Sequence, residues 1–104
     1  MAPHTFVIEA AHPCLPGHFP GQPLVPGVVI LDRVVAAVEA VHGPLGALRL
    51  PQVKFVQPLL PDEQAEIALE DASRDGVARW RFRVERAGVL LASGEVVADG
   101  PAQA

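Results

Sequence analysis

The sequence has very little cysteine: Cys14 is the single one in 104 residues, so no disulfide can form within the chain. This cysteine usage fits a reducing compartment. The sequence also has no excess of positive charge, since its net charge is −4 at pH 7, and nothing in its composition indicates a nucleic-acid binder. Its first residues do not show the charged-then-apolar pattern of a leader peptide. We therefore expect a cytoplasmic protein.

A long uninterrupted apolar run is also missing. The longest mainly apolar segment, residues 28–41, contains Asp32, Arg33 and Glu39. Spanning a bilayer takes about 20 apolar residues, so this segment is too short and too charged to do so. The chain length predicts a single domain over residues 1–104. A domain of this size buries a limited share of its surface alone, which favours pairing with a second chain.

The pattern of apolar, proline and glycine residues predicts an α+β fold with one helix on an antiparallel sheet. Residues 12–26 contain five prolines and two glycines, which predict a stiff loop. The helix that follows is apolar on nearly every face, so we expect it to be buried almost all round. Strands are predicted at residues 5–10, 47–55, 63–70, 77–86 and 89–98, with a hairpin turn at Asp75-Gly76 and a frayed tail at 99–104.

One stretch carries most of the chemical signal. The sequence GHFPGQPLVPG at residues 17–27 runs into the helix, which carries Asp32 fourteen positions after His18. A histidine has an ordinary pKa near neutrality, about 6.5, so His18 suits a general base. The apolar neighbours of Asp32 at helical spacing predict a buried carboxyl that holds a proton to donate. The free N–H groups at the helix start, near Gly27, suit a developing negative charge.

Each of these residues also has an ordinary explanation. A histidine in such a loop often only bonds to the backbone, and an acid on a helix is usually solvated. The motif favours the catalytic interpretation for His18, whereas His4, His12 and His42 lack such a setting and are expected to be surface or structural residues. A metal site built from His12, Cys14 and His18 is an alternative, but its even spacing fits no common zinc pattern, so we expect no metal.

The motif resembles that of the bacterial 3-hydroxyacyl-[acyl-carrier-protein] dehydratases. These are hotdog-fold proteins, in which one long central helix is wrapped by an antiparallel sheet of about five strands. Residues 51–62 (PQVKFVQPLLPD) resemble the strand and turn that follow the helix in this family, and the resemblance covers about residues 5–98. It implies that His18 is the catalytic base, Asp32 the catalytic acid and Gly27 the residue whose N–H holds the thioester carbonyl.

The resemblance further implies a lyase of fatty acid or polyene-type biosynthesis that acts on an acyl carrier protein bearing a 3-hydroxyacyl chain. It implies no cofactor, no nucleic acid and no membrane. Because the family builds each site from two subunits, it implies a homodimer, or a heterodimer with another hotdog protein. Asp32 stands where the common enzymes carry Glu, and Arg33 where a small residue is usual. With the short N-terminus, these departures resemble the dehydratase-like proteins of aryl polyene pathways and predict short, medium or conjugated acyl chains.

The substrate is expected to contact the loop and the first helical turns. The residues concerned are Phe19, Pro20, Gly21, Leu24, Val25, Pro26, Val28 and Leu31. Phe55, Phe82 and Trp80 are expected to form deeper walls of the same tunnel. The side chains of Arg79, Arg81 and Arg83 share one face of a strand; a solvated face is the simpler interpretation, and docking of an acidic carrier protein is the alternative.

Two other functions compete with dehydration. A hotdog thioesterase needs a carboxylate near the helix and a water, but not a histidine loop, so the motif at residues 17–27 argues against it. A non-catalytic subunit that completes the site of a paired hotdog protein is the other alternative. The presence of both His18 and Asp32 argues against that interpretation.

Overall fold

One helix packs against one antiparallel sheet. The structure is a computed structural model that describes residues 4–9 and 24–98. The sheet has six strands in the order β1-β4-β5-β6-β2, and β3 also pairs with β6. Every pairing is antiparallel, as the α+β prediction requires. The elements are β1 (His4–Val7), α1 (Gly27–His42), β2 (Leu48–Arg49), β3 (Lys54–Phe55), β4 (Gln64–Asp71), β5 (Arg79–Arg86) and β6 (Val89–Ala98).

The alternation of β5 confirms which face of the sheet meets the core. Trp80, Phe82 and Val84 are buried, whereas Arg81 and Arg83 between them are exposed. Successive side chains of a strand point to opposite faces, so the apolar set packs with the buried side of α1 and the arginines lie on the outer face. The core is continuous from helix to sheet.

The predicted hairpin turn between β4 and β5 is also confirmed. Asp75 and Gly76 have φ angles of 54° and 76°, and Arg74 and Val77 pair across the turn. Two successive positive φ angles are the conformation of the two-residue turn that matches the twist of antiparallel strands. Asp-Gly is a favoured sequence there because glycine adopts positive φ without steric cost.

The predicted strand at residues 47–55 is split in two. Pro51 lacks the N–H that a ladder needs, and Gln52 has a φ of 58°, outside the strand region. The two ends remain as β2 and β3, both paired with β6, and the Pro51 carbonyl accepts the Glu95 N–H at 3.3 Å. The sheet therefore has six strands rather than about five.

The expectation that the helix is buried almost all round is wrong for the single chain. Its buried residues lie on the face toward the sheet: Val29, Ile30, Val34, Ala37 and Val38. Val28 on the opposite face is 67% exposed. A single sheet covers a single face of a helix, and the sequence pattern does not say which apolar residues are left outside. In the part of the chain that the structure describes, no helix is long and apolar enough to cross a membrane. The predicted tail at 99–104 lies outside that part.

Candidate active site

The start of α1 is the centre of the candidate site. The helix begins at Gly27, and its N-cap residue is Pro26, in an extended conformation with φ −61° and ψ 145°. Among the described residues no side chain caps this end, and the first turn contains no acidic residue. The Pro26 carbonyl accepts the N–H groups of Val29 at 3.0 Å and Ile30 at 3.4 Å. The first N–H groups of a helix lack partners within the helix, so this end attracts negative charge.

The ring of Phe55 lies directly against Gly27. A Cβ atom added at Gly27 would be 2.7 Å from the Phe55 Cζ atom, closer than real Cβ atoms come. Glycine at the helix start therefore lets the aromatic ring approach the backbone. Phe55 was predicted as a deep wall of the substrate tunnel, but it lies at the helix start and is 52% exposed. It forms part of the rim of the site.

A cavity of about 400 Å³ adjoins this contact. It is mainly apolar, as expected for the binding of an acyl chain. Val25, Gly27 and Phe55 line it, whereas Leu24, Pro26, Val28 and Leu31, the other predicted substrate-binding residues that the structure describes, do not. Trp80 and Phe82 do not line it; Trp80 packs near the other end of α1, with its ring 5.0 Å from that of His42. The remaining walls come from Ile30, Val56, Gln57, Pro58 and Leu59.

Three backbone hydrogen bonds hold the wall of the cavity in place. The Val25 N–H donates to the Leu59 carbonyl at 2.9 Å, which ties the segment before the helix to the loop after β3. The N–H groups of Val56 and Gln57 both donate to the Leu91 carbonyl, at 2.7 and 3.3 Å. Leu91 is the extra residue of β6 where its register with β5 shifts between Val84 and Glu85. Bulges of this kind often lie beside functional sites.

Asp32 lies on the helix face that the sheet leaves uncovered. Its side chain is exposed, so the burial expected from its apolar neighbours is not found in the single chain. Val28, one turn earlier on the same face, is exposed too, and Leu31 is half-buried. The apolar neighbours are therefore present, but this chain's own described residues do not enclose the carboxyl. Leu24 and Pro26 are half-buried.

The loop half of the predicted site belongs to the part of the chain that the structure does not describe. Phe19, Pro20 and Gly21, together with His18, lie outside the described residues. Their roles remain predictions from the motif. Within residues 4–9 and 24–98, no group of three or more histidine, cysteine, aspartate or glutamate side chains is arranged to hold a metal ion.

The three arginines of β5 lie on the outer face of the sheet, as predicted, and each has a carboxylate partner. The pairs are Arg79–Glu95 at 3.4 Å, Arg81–Glu70 at 3.3 Å, Arg81–Glu95 at 3.7 Å and Arg83–Glu85 at 3.0 Å. Charge on this face is therefore balanced rather than strongly positive. A balanced face supports the solvated interpretation more than carrier docking.

Comparison with known sequences assigns the family. A family described as ApeI-like, ApeI dehydratase, matches residues 2–95. The chain belongs to the ApeI-like dehydratase family. It is also 28% identical over 102 residues to the 3-hydroxyacyl-[acyl-carrier-protein] dehydratase FabZ of Haemophilus influenzae, over 88% of this chain and 65% of that one. The enzyme of the same name from Anaeromyxobacter sp. strain K is 31% identical over 98 residues, with 84% and 60% covered. The chain thus spans 60% to 65% of the length of these two curated relatives.

Solved structures confirm the hotdog fold. The dehydratase heterocomplex ApeI:P from Xenorhabdus doucetiae superposes with a TM-score of 0.69 and 21% identity, over 91% of this chain and 84% of that one. A variant of the fluoroacetyl-CoA-specific thioesterase FlK superposes with a TM-score of 0.63 and 16% identity, over 92% and 81%. Because dehydratases and thioesterases both have this fold, the fold alone does not choose between them. The family assignment favours the dehydratases.

Proposed function

We propose that the protein dehydrates a 3-hydroxyacyl thioester carried by an acyl carrier protein, giving the 2-enoyl thioester. The observation that carries the proposal is the start of α1 at Gly27, which has no side-chain cap among the described residues and opens beside an apolar cavity. Membership of the ApeI-like dehydratase family supports it. A thioester carbonyl at Gly27 would place its acyl chain against the cavity wall.

The reaction needs a base, an acid and a site for the enolate-like oxygen. In our proposal His18 removes a proton from C2, and the charge that develops on the thioester oxygen is stabilised by the N–H groups at Gly27. The C2–C3 double bond forms as the C3–O bond breaks, and Asp32 protonates the departing hydroxyl, which leaves as water. Solvent then takes the proton from His18 and returns a proton to Asp32. This mechanism uses only side chains and backbone of the protein.

Pairing with a second chain is part of the proposal. Asp32 is exposed on the single chain, and apolar residues around the helix start are exposed with it. Contiguous exposed apolar surface often marks an interface. A partner subunit placed here would enclose Asp32 and bring its own loop to the site. The partner is a second copy of this chain or another hotdog protein.

The first test is incubation with a 3-hydroxyacyl carrier protein, analysed by mass spectrometry. We expect a product lighter by one water and still attached to the carrier, and hydration of the enoyl product in reverse. A parallel reaction with the coenzyme A thioester tests the need for the carrier. Free acid without loss of water would identify a thioesterase instead. Activity that appears only after a second hotdog protein is added would identify a subunit of a heteromeric enzyme.

The two proposed catalytic side chains are tested by His18→Ala and Asp32→Asn. Each should lower kcat by about 10²–10⁴-fold, the usual contribution of positioned proton transfer. Glu39→Gln is the matched control, because Glu39 is an exposed carboxylate further along the same helix. It should keep wild-type turnover. Circular dichroism spectra of all three variants should match that of the wild type. Full activity of His18→Ala would show that His18 is not the base.

A further inference from the structure

Arg86 and Glu63 form an ion pair beside the loop that follows β3. The Arg86 Nη1 group donates to the Glu63 Oε1 atom at 2.9 Å and to the Pro58 carbonyl at 3.1 Å. The same Glu63 oxygen accepts the Leu60 N–H at 3.0 Å. The two side chains are 29% and 33% exposed, so solvent reaches them only in part. One guanidinium and one carboxylate therefore hold two points of the loop backbone.

The residue between those two points belongs to the candidate site. Leu59 lies between Pro58 and Leu60, its side chain is fully buried, and it lines the cavity. Its carbonyl accepts the Val25 N–H at 2.9 Å. Val25 is two residues before Gly27, where α1 begins. The Leu59 carbonyl therefore ties the chain just before α1 to the wall of the cavity.

We propose that Arg86 and Glu63 are positioning residues, which act through Leu59 to set the start of α1 relative to the cavity wall. Neither residue lines the cavity, so neither would touch the substrate. The role in turnover rests on the proposed function, whereas the role in holding Val25 does not. A charge-assisted hydrogen bond to a backbone carbonyl suits this purpose, because it is strong and directional. Small displacements of reacting groups are costly to rate, since about 1 Å can lower it about a hundredfold.

The structural half of the proposal is tested by hydrogen exchange at the Val25 amide, measured by NMR. Glu63→Ala and Arg86→Gln should each speed exchange of this amide about tenfold, because a group that holds its acceptor segment is removed. The matched control is Glu39→Ala. Glu39 accepts the Leu45 N–H at 3.1 Å beyond the other end of α1, so it also holds a flanking loop. Val25 exchange should be unchanged in this control, and unchanged exchange in Glu63→Ala and Arg86→Gln would overturn the proposal.

Turnover of a 3-hydroxyacyl carrier protein tests the functional half. Glu63→Ala and Arg86→Gln should lower kcat about tenfold with little change in KM, as expected when reacting groups are displaced but binding is kept. The swapped variant, Glu63→Arg with Arg86→Glu, separates positioning from charge pairing. It restores an ion pair, but glutamate cannot donate to the Pro58 carbonyl and arginine cannot accept the Leu60 N–H. We expect the swapped variant to be more stable than the single variants, but its turnover should stay below that of the wild type.

Recovery of wild-type kcat in the swapped variant would overturn the proposal, since a charge pair alone would then suffice. A wild-type protein that does not dehydrate any of the substrates would contradict the proposed function. The Val25 exchange experiment still decides the positioning role in that case, because it needs no substrate.

Discussion

Gly27 and Phe55 touch at the rim of the cavity, and their contact predicts how the site responds to one added methyl group. In Gly27→Ala the new Cβ would meet the ring at 2.7 Å, so the ring must move. Phe55 is about half exposed and can swing outward. We expect a modest loss of stability, about 1 kcal/mol, at the lower end of overpacking effects. Turnover should fall because the displaced ring opens the rim. Denaturant unfolding and kcat/KM measure the two effects.

Phe55→Leu supplies the control for this prediction. A smaller side chain leaves room for the methyl group. The loss of unfolding free energy in the double variant Gly27→Ala, Phe55→Leu should therefore be smaller than the sum of the losses in the two single variants. The coupling energy from a double-mutant cycle reports the contact itself. Additive effects would show that the Phe55 ring is not what makes glycine necessary at this position.

At the scale of elements, the β4–β5 hairpin contains a carboxylate whose charge is stabilised locally. Asp71 ends β4, and hydrogen bonds from the Ser73 hydroxyl and then the Ser73 N–H, the latter at 2.8 Å, lower the pKa of Asp71 below its ordinary value of 3.8. The charge on His42 lowers it further, and burial opposes the shift. A group with a lowered folded-state pKa stabilises the fold above its unfolded-state pKa. That contribution is lost as the pH falls through the folded-state pKa.

Asp71→Asn tests this linkage. The variant keeps an oxygen that accepts the Ser73 N–H but removes the charge. It should be less stable than the wild type near neutral pH, and the difference in free energy of unfolding should shrink as the pH falls below about 4. Urea unfolding at several pH values measures the difference.

Asp75→Asn is the control at the tip of the same hairpin. Its ion pair with Arg74 is long and highly exposed, so its removal should change little at any pH. A constant difference for Asp71→Asn would contradict the argument.

The elements also show what could be predicted from the sequence and why the rest could not. The Asp75-Gly76 hairpin and the alternation around Trp80 were correct, because local turn preference and period-2 burial act over a few residues. The split of the predicted strand was missed, although Pro51 is a local signal against a continuous ladder. In the candidate site, Gly27 and Val25 were predicted from the motif. Ile30 was missed because it belongs to the face toward the sheet.

Other parts of the site depend on contacts between distant segments. Phe55 lies against Gly27, and Arg86 donates a hydrogen bond to the Pro58 carbonyl. In each pair the two residues are 28 positions apart in sequence. Neither periodicity nor spacing encodes such pairs. The exposure of Asp32 was missed for a related reason, since the apolar pattern around it does not say which face of the helix the sheet covers.

At the scale of the whole molecule, exposed apolar side chains lie around the helix start. Val28 is 67% exposed, Phe55 52%, Val56 53% and Leu60 42%. Val28 follows Gly27 in α1, Phe55 and Val56 line the cavity beside Gly27, and Leu60 follows Leu59 of the cavity wall. An exposed apolar surface next to a candidate site is explained if a second subunit covers it. In that arrangement Asp32 would be enclosed by the partner rather than by its own sheet.

Pairing of this kind has a kinetic consequence if each site takes its histidine from one subunit and its acid from the other. His18→Ala chains and Asp32→Asn chains would be inactive alone. In a mixed dimer, one site combines the intact His18 of one chain with the intact Asp32 of the other, and the second site lacks both. After random exchange in equal amounts, half of the dimers are mixed, so activity should recover to about a quarter of the wild-type value in a symmetric dimer. Exchange is followed with differently tagged chains, and activity by loss of water from a 3-hydroxyacyl carrier protein.

Equal mixing of wild-type chains with His18→Ala chains is the control, and should give half of the wild-type activity because half of the histidines are intact. Inactive mixtures in which tagged heterodimers are recovered would show that each site is built within one chain.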